Sequence, residues 1–201
     1  GNVVRAIATR DITRAQAGYP GTGGNFVFDR SYHYQTPNFA AQTTLAQLLV
    51  KQAATPSGDG AALAMTYDAY IDTEGRLHCL YGLQDATTGG SFTNRHAVIN
   101  AAGTAILFDG SAPISFINHA RIVQDDLGRF YLISMNAGSL FVNRATDADT
   151  MGTVFGGQQT ISLSPAFSGG GHGFSITVPR SGTPRAAFVD IRYQSNGHAN
   201  N

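Results

Sequence analysis

Apolar and polar residues alternate over short runs along most of the chain. Two of these runs resemble each other closely: TYDAYIDTEGRLHCLYG, Thr66 to Gly82, and NHARIVQDDLGRFYLIS, Asn118 to Ser134. Each leads a strand-length alternating segment into an acidic residue, then Gly-Arg, then a second apolar segment, which is the pattern of a tight β-hairpin. The two Gly-Arg pairs, Gly75-Arg76 and Gly128-Arg129, lie 53 residues apart. HGFSITVPRSGTPRAAFVDI repeats the pattern, with Gly182 a further 54 residues on and His172 falling 53 after His119. The opening GNVVRAIATRDI aligns with GTPRAAFVDIRY, so Gly1 matches Gly182, and the first period is longer than the others by about 21 residues.

Between the hairpins, RHAVIN pairs naturally with TAILFDG, and SLFVNRA with QQTISLS, giving several short strands per period. This pattern predicts an all-β fold of four-stranded antiparallel blades, a partial β-propeller. The repeats span about 1–74, 75–127 and 128–181, with an extra hairpin over 182–201. A closed propeller takes about four to eight blades, so three periods imply either a fragment of a larger propeller or ends that pair with partner subunits. A β-sandwich or jelly roll is the competing architecture. The surplus of the first period holds NFAAQTTLAQLLVKQAA, where Asn38 caps a predicted helix over 39–53 and a strand over Thr44 to Lys51 competes with it.

Charged residues make up 13% of the chain, about half the usual share, against 24 glycines and 42% hydrophobic residues. That balance fits an extracellular, secreted β protein. Thirteen basic and thirteen acidic residues cancel, and no basic run interleaved with aromatics occurs, so a nucleic-acid partner lacks its electrostatic footprint. Lys51 is the one lysine, and Cys79 the one cysteine, which excludes an internal disulfide or a cysteine zinc site. No run of 18 or more apolar residues marks a membrane span. The chain opens on Gly1 without a basic-then-apolar leader, so it reads as processed or as part of something longer.

The pattern D-x-x-G-R-L-H-x-L-Y at Asp72 to Tyr81, followed by RHAVIN at Arg95 to Asn100, resembles the BNR-type repeat propellers found among secreted polysaccharide lyases. The resemblance spans roughly Met65 to Asp190. The sialidase version of the repeat, with its S-x-D-x-G-x-T-W box, is absent because the chain has no tryptophan. The resemblance implies β-elimination on a uronate-containing polysaccharide. An arginine would neutralise the carboxylate, a neutral histidine take the C5 proton and a tyrosine protonate the leaving oxygen. The competing function is a non-catalytic glycan-binding or self-assembling extracellular structural protein.

Elimination needs a base of near-neutral pKa with a proton donor in reach. DRSYHYQ, Asp29 to Gln35, supplies Arg30, Tyr32, His33 and Tyr34 within five residues. On a strand Tyr32 and Tyr34 share the face opposite His33, so partners must come from another repeat. His119, Arg121 and His172 are those candidates, and with His33 and Tyr34 they make the predicted catalytic set. His78 and His96 sit beside Cys79 and Val98 in strands and read as structural. Asp72 and Asp125 share a repeat phase and read as turn acceptors. Asp147-Ala-Asp149-Thr-Met-Gly152 imitates a calcium loop, but Met151 replaces an oxygen ligand and Gln158 stands where a bidentate Glu belongs, so no metal is expected. The glycine run before His172 and GYPGTGG at Gly18 to Gly24 lack a Gly-Lys pair or a strand-to-helix setting, so no nucleotide cofactor is expected either.

Overall fold

The computed structural model describes residues 3–21, 26–36, 46–54, 62–114, 120–136, 139–162, 173–177 and 190–194. Strands dominate. β1 (Val4–Thr13) and β2 (Phe26–Thr36) flank one turn of helix, α1 (Arg14–Ala17), and β3 (Ala46–Gln52) follows. Next come β4 (Leu63–Ile71), β5 (Leu77–Gln84), β6 (Thr93–Ile99) and β7 (Ile106–Ser111), then β8 (Arg121–Gln124), β9 (Phe130–Asn136), β10 (Ser139–Arg144) and β11 (Gln159–Ser162). β12 (Gly173–Thr177) and β13 (Asp190–Gln194) form an antiparallel pair. The fold is all-β, and none of the described sheets closes into a ring or barrel.

β4 to β7 pair in chain order as a four-stranded antiparallel meander, and β8 to β11 form a second. The 53-residue repeat therefore has a structural counterpart. In the first turn the Asp72 backbone N–H donates to the Arg76 carbonyl at 3.0 Å, and the Asp72 carboxylate accepts from the Arg76 backbone N–H at 2.8 Å and from its Nε at 2.7 Å. Asp125 and Arg129 make the same three bonds at 2.9, 2.9 and 2.7 Å. Gly75 and Gly128 hold left-handed backbones, φ 76° and 80°, which side chains seldom adopt. Asp72 and Asp125 are thus turn acceptors, as their shared phase implies.

The residues predicted as a helix over 39–53 are, where described, the strand β3; residues 37–45 lie outside the described part. Ala, Leu, Gln and Lys favour a helix locally. In β3, however, Leu48 and Val50 reach the core while the strand pairs antiparallel with β2, and tertiary burial overrides propensity.

β2 also meets β4 in parallel at one pair, Phe28 with Leu63, so hydrogen bonding joins β1–β3 and β4–β7 into one seven-stranded sheet. Packing makes them two layers. Ile7, Val27, Leu48 and Val50 lie against Leu77, Cys79, Tyr81 and Leu83, the odd-numbered residues of β5. On the other face Leu80 and Tyr70 pack against Ile122, Phe130 and Leu132 of the β8–β11 meander. β5 is buried along almost its whole length because both faces are covered, which is why its sequence is nearly continuously apolar rather than alternating. The central meander thus has two seams, one on each side.

Candidate functional site

The predicted catalytic residues do not converge. His33 is fully buried in the first seam, paired in register with Ile7 and Leu48. Neither ring nitrogen makes a well-aligned hydrogen bond; the Gly103 backbone is the polar group beside it, and it lies so close that a Cβ added at Gly103 would meet the ring. Burial, and then the nearby Arg5 guanidinium, hold its pKa below the ordinary histidine value. Tyr34 is on the opposite face of β2, half-buried, its ring 6.0 Å from Tyr32. Arg121 opens β8 at the second seam. His119 and His172 lie outside the described residues.

His78 and His96 are interior. The Asp72 carboxylate, held by Arg76, orients a chain: His78 Nε2 lies 3.1 Å from Asp72 and His78 Nδ1 3.1 Å from His96 Nε2, with the two rings stacked. An ionised Asp72 accepts from His78 Nε2–H, so His78 Nδ1 must accept from His96 Nε2–H. Burial lowers the pKa of both rings, that of His96 strongly. All three side chains are sealed between sheets, so the network orients strands and meets no substrate.

The second seam reaches solvent at a rim where chemistry is possible. A register shift between Thr66 and Asp68 makes Tyr67 the extra residue of a β-bulge, a device that re-aims a side chain. Tyr67 packs at the edge of the second seam and meets Phe92 edge-on, centroids 6.4 Å apart. Phe92 is 43% exposed. Its ring occupies the space left by Gly82, where a Cβ would lie 2.2 Å from the ring tip. A glycine inside a strand has no packing value of its own; here it seats an aromatic ring at the surface. Next to Tyr67, buried Asp68 accepts from the Ile122 backbone N–H at 3.0 Å and pairs with Arg121 Nε at 3.9 Å. Asn94, in register with Gly82, donates to the Ile114 carbonyl, while its buried Oδ1 has no hydrogen-bond partner.

The rim thus combines an exposed ring, a phenol, a guanidinium and an amide oxygen. Burial raises the Tyr67 pKa, so the phenol stays protonated and can donate at neutral pH. Of these residues sequence reasoning named only Arg121. The bulge and the Gly82–Phe92 fit are pairing and packing facts with no local sequence signature.

A second charged group ties the layers together. Asp109 accepts from Lys51 at 3.0 Å, from Arg95 at 3.0 Å and from the Tyr81 hydroxyl. Its cations are spent on its own carboxylate. The Asp149 carboxylate is likewise engaged, by the backbone N–H groups of Met151, Thr153 and Val154. Among the described residues no cluster of three or more His, Cys, Asp or Glu is arranged to hold a metal ion.

No protein-family model matches the chain, and no curated protein matches it. A crystal structure of a protein of unknown function from Dyadobacter fermentans is similar in fold, with a TM-score of 0.57 at 13% identity. The match covers 88% of this chain and 50% of that one, so the chain spans half the length of the solved structure.

Proposed function

We propose that the chain is a segment of a secreted, carbohydrate-active β-propeller, most like a polysaccharide lyase, that engages its glycan at the Tyr67–Phe92 rim. Two features support the propeller reading: two successive four-stranded meanders whose Asp-x-x-Gly-Arg turns make the same hydrogen bonds, and face-to-face packing on both sides of the central meander. The observation that carries the function is an aromatic pair, exposed Phe92 on half-buried Tyr67, with Tyr67 adjacent in sequence to Asp68 of the Asp68–Arg121 ion pair. The ring pair matches the apolar face of a pyranose. Arg121 would neutralise a uronate carboxylate, and the Tyr67 phenol would protonate the leaving oxygen as the C4–O bond breaks. The base that takes the C5 proton is assigned to His119, two residues before Arg121.

The interior position of His33, remote from any substrate, favours the second reading, glycan binding without turnover. One assay separates the two. Incubation with pectin or alginate is expected to raise the ultraviolet absorbance of an unsaturated uronate product. Tyr67→Phe should lower that rate 10²-fold or more while binding persists. Binding with no product from the unaltered chain would replace the enzyme by the binding module. Gly82→Ala should drive Phe92 off its seat and weaken binding, because an added Cβ would meet the far end of the exposed Phe92 ring first and the Tyr67 ring edge at 3.0 Å. Unchanged binding in Gly82→Ala would remove the rim from the site.

A further inference from the structure

The β1–β3 layer buries one face in the first seam, and on the other, among the described residues, Ala6, Ala8, Gln47 and Leu49 are exposed. On that face Arg30, Tyr32 and Tyr34 follow one another along β2 at alternate positions. Arg30 Nη1 donates to the Tyr32 hydroxyl at 3.3 Å, and the two tyrosine rings lie 6.0 Å apart at 42°. In register on β3, Gln47 flanks Tyr34 and Leu49 flanks Tyr32; both are exposed, Leu49 by 41%. On β1 the partners of Tyr34 and Tyr32 are the exposed alanines Ala6 and Ala8, which leave the rings standing above the sheet.

We infer that this face is a second carbohydrate platform, separate from the rim, on which an extended polysaccharide lies along β2. Alternate residues of a strand repeat every ~6.6 Å, which sets a row of two rings and a guanidinium in line for successive sugar units. Phenol rings offer an apolar face and a hydroxyl edge together, and Arg30 and Gln47 supply donors for hydroxyl groups at the border. Size argues against a protein partner. Strands of 10, 11 and 7 residues, ~4.8 Å apart, present a footprint of roughly 440 Å², against about 800 Å² per partner in a stable protein interface. A single glycan chain needs no such width. Two platforms on one chain would act together on a long polymer and separately on short ones, because tethering makes the second contact intramolecular.

The inference stands apart from the rim assignment, and its test keeps them apart. Migration of the 201-residue chain would be followed in native gels containing alginate, pectin or xylan. Retardation by at least one polymer is expected. Tyr32→Ala with Tyr34→Ala should weaken it about 10-fold, Tyr32→Phe with Tyr34→Phe should retain it within about twofold, and circular dichroism should show both variants folded. Binding and turnover of tetrasaccharides at the rim should be unaltered by either pair. Absence of retardation in every gel would overturn the platform, as would equal retardation of the alanine variant. So would a dimer of the unaltered chain that the alanine variant converts to monomer, because that outcome gives the face to a second copy.

Discussion

The two seams that flank the central meander bury comparable strands by different means. In the second, polar groups are chained: Arg76, Asp72, His78 and His96 are linked in series, with Phe130, Tyr70, Phe108 and Phe155 around the rings. In the first, polar contacts fall in separate groups. Asp109 gathers Lys51, Arg95 and Tyr81, Thr9 accepts from the Thr66 backbone N–H, Ser31 bonds Thr66, Arg5 donates to the Gly75 and Ala101 carbonyls, and the His33 ring has only the Gly103 backbone beside it. A buried polar group stabilises only as part of a completed network; isolated, it is a cost. Asp72 and His33 should therefore respond to mutation with opposite signs.

The largest effect is expected at Asp72. Asp72→Ala removes the acceptor for Arg76 and His78 together and opens the turn, so a loss of about 3–5 kcal/mol follows from breaking a buried charged pair. That corresponds to a melting point lower by roughly 10 °C for a chain of this size. A fall of only a degree or two would show the relay to be dispensable and remove the contrast.

Next in size is the response to acid. His33, His78 and His96 are neutral in the fold, with pKa values pushed below the ordinary 6.5, chiefly by burial. The unfolded chain therefore binds more protons below about pH 6.5. Stability from these groups is complete above that pH and declines as the pH falls through it, by at most about 1.4 kcal/mol per unit for each histidine. The Asp29, Asp72 and Asp109 carboxyls, held below their ordinary values by their cationic and hydrogen-bonding partners despite burial, add a further loss below about pH 4. Urea midpoints measured from pH 8 to 5 test the histidine component, and a flat profile would contradict it.

His33→Leu carries the opposite sign. Replacing a buried imidazole that lacks a well-aligned hydrogen bond by an apolar side chain should stabilise by about 1 kcal/mol and reduce the acid sensitivity. Destabilisation instead would mean that the imidazole has a role in the seam. Lys51→Ala, which cuts a partly exposed tie between layers, should cost under about 1 kcal/mol, and less in high salt. A loss that salt does not reduce would point to packing by the lysine stem instead.

What could be read from the sequence follows from how local each feature is. The Asp-x-x-Gly-Arg turn closes within five residues, so its recurrence was visible as a spacing and its chemistry as a residue pattern. The strand pairs RHAVIN with TAILFDG and SLFVNRA with QQTISLS form as alternation implies. β3 was open to misreading because its helix-forming residues become strand only through pairing with β2. His33 beside two tyrosines looked like a reactive cluster, yet period-two geometry sends the histidine inward and the tyrosines outward. Tyr67 of β4 and Phe92, just before β6, meet through a bulge and a glycine. No window of sequence contains that meeting.

The self-closed turn also bears on how the chain folds. A carboxylate that binds the backbone and side chain four residues ahead can set strand register before any distant segment arrives, on the microsecond scale of hairpin formation. Each meander then grows from a nucleus of its own, and the slow events are the stacking of finished sheets, whose contacts span long stretches of chain. Folding should accordingly be sensitive to Asp72 and Asp125 early, and to Phe130 and Leu48 late.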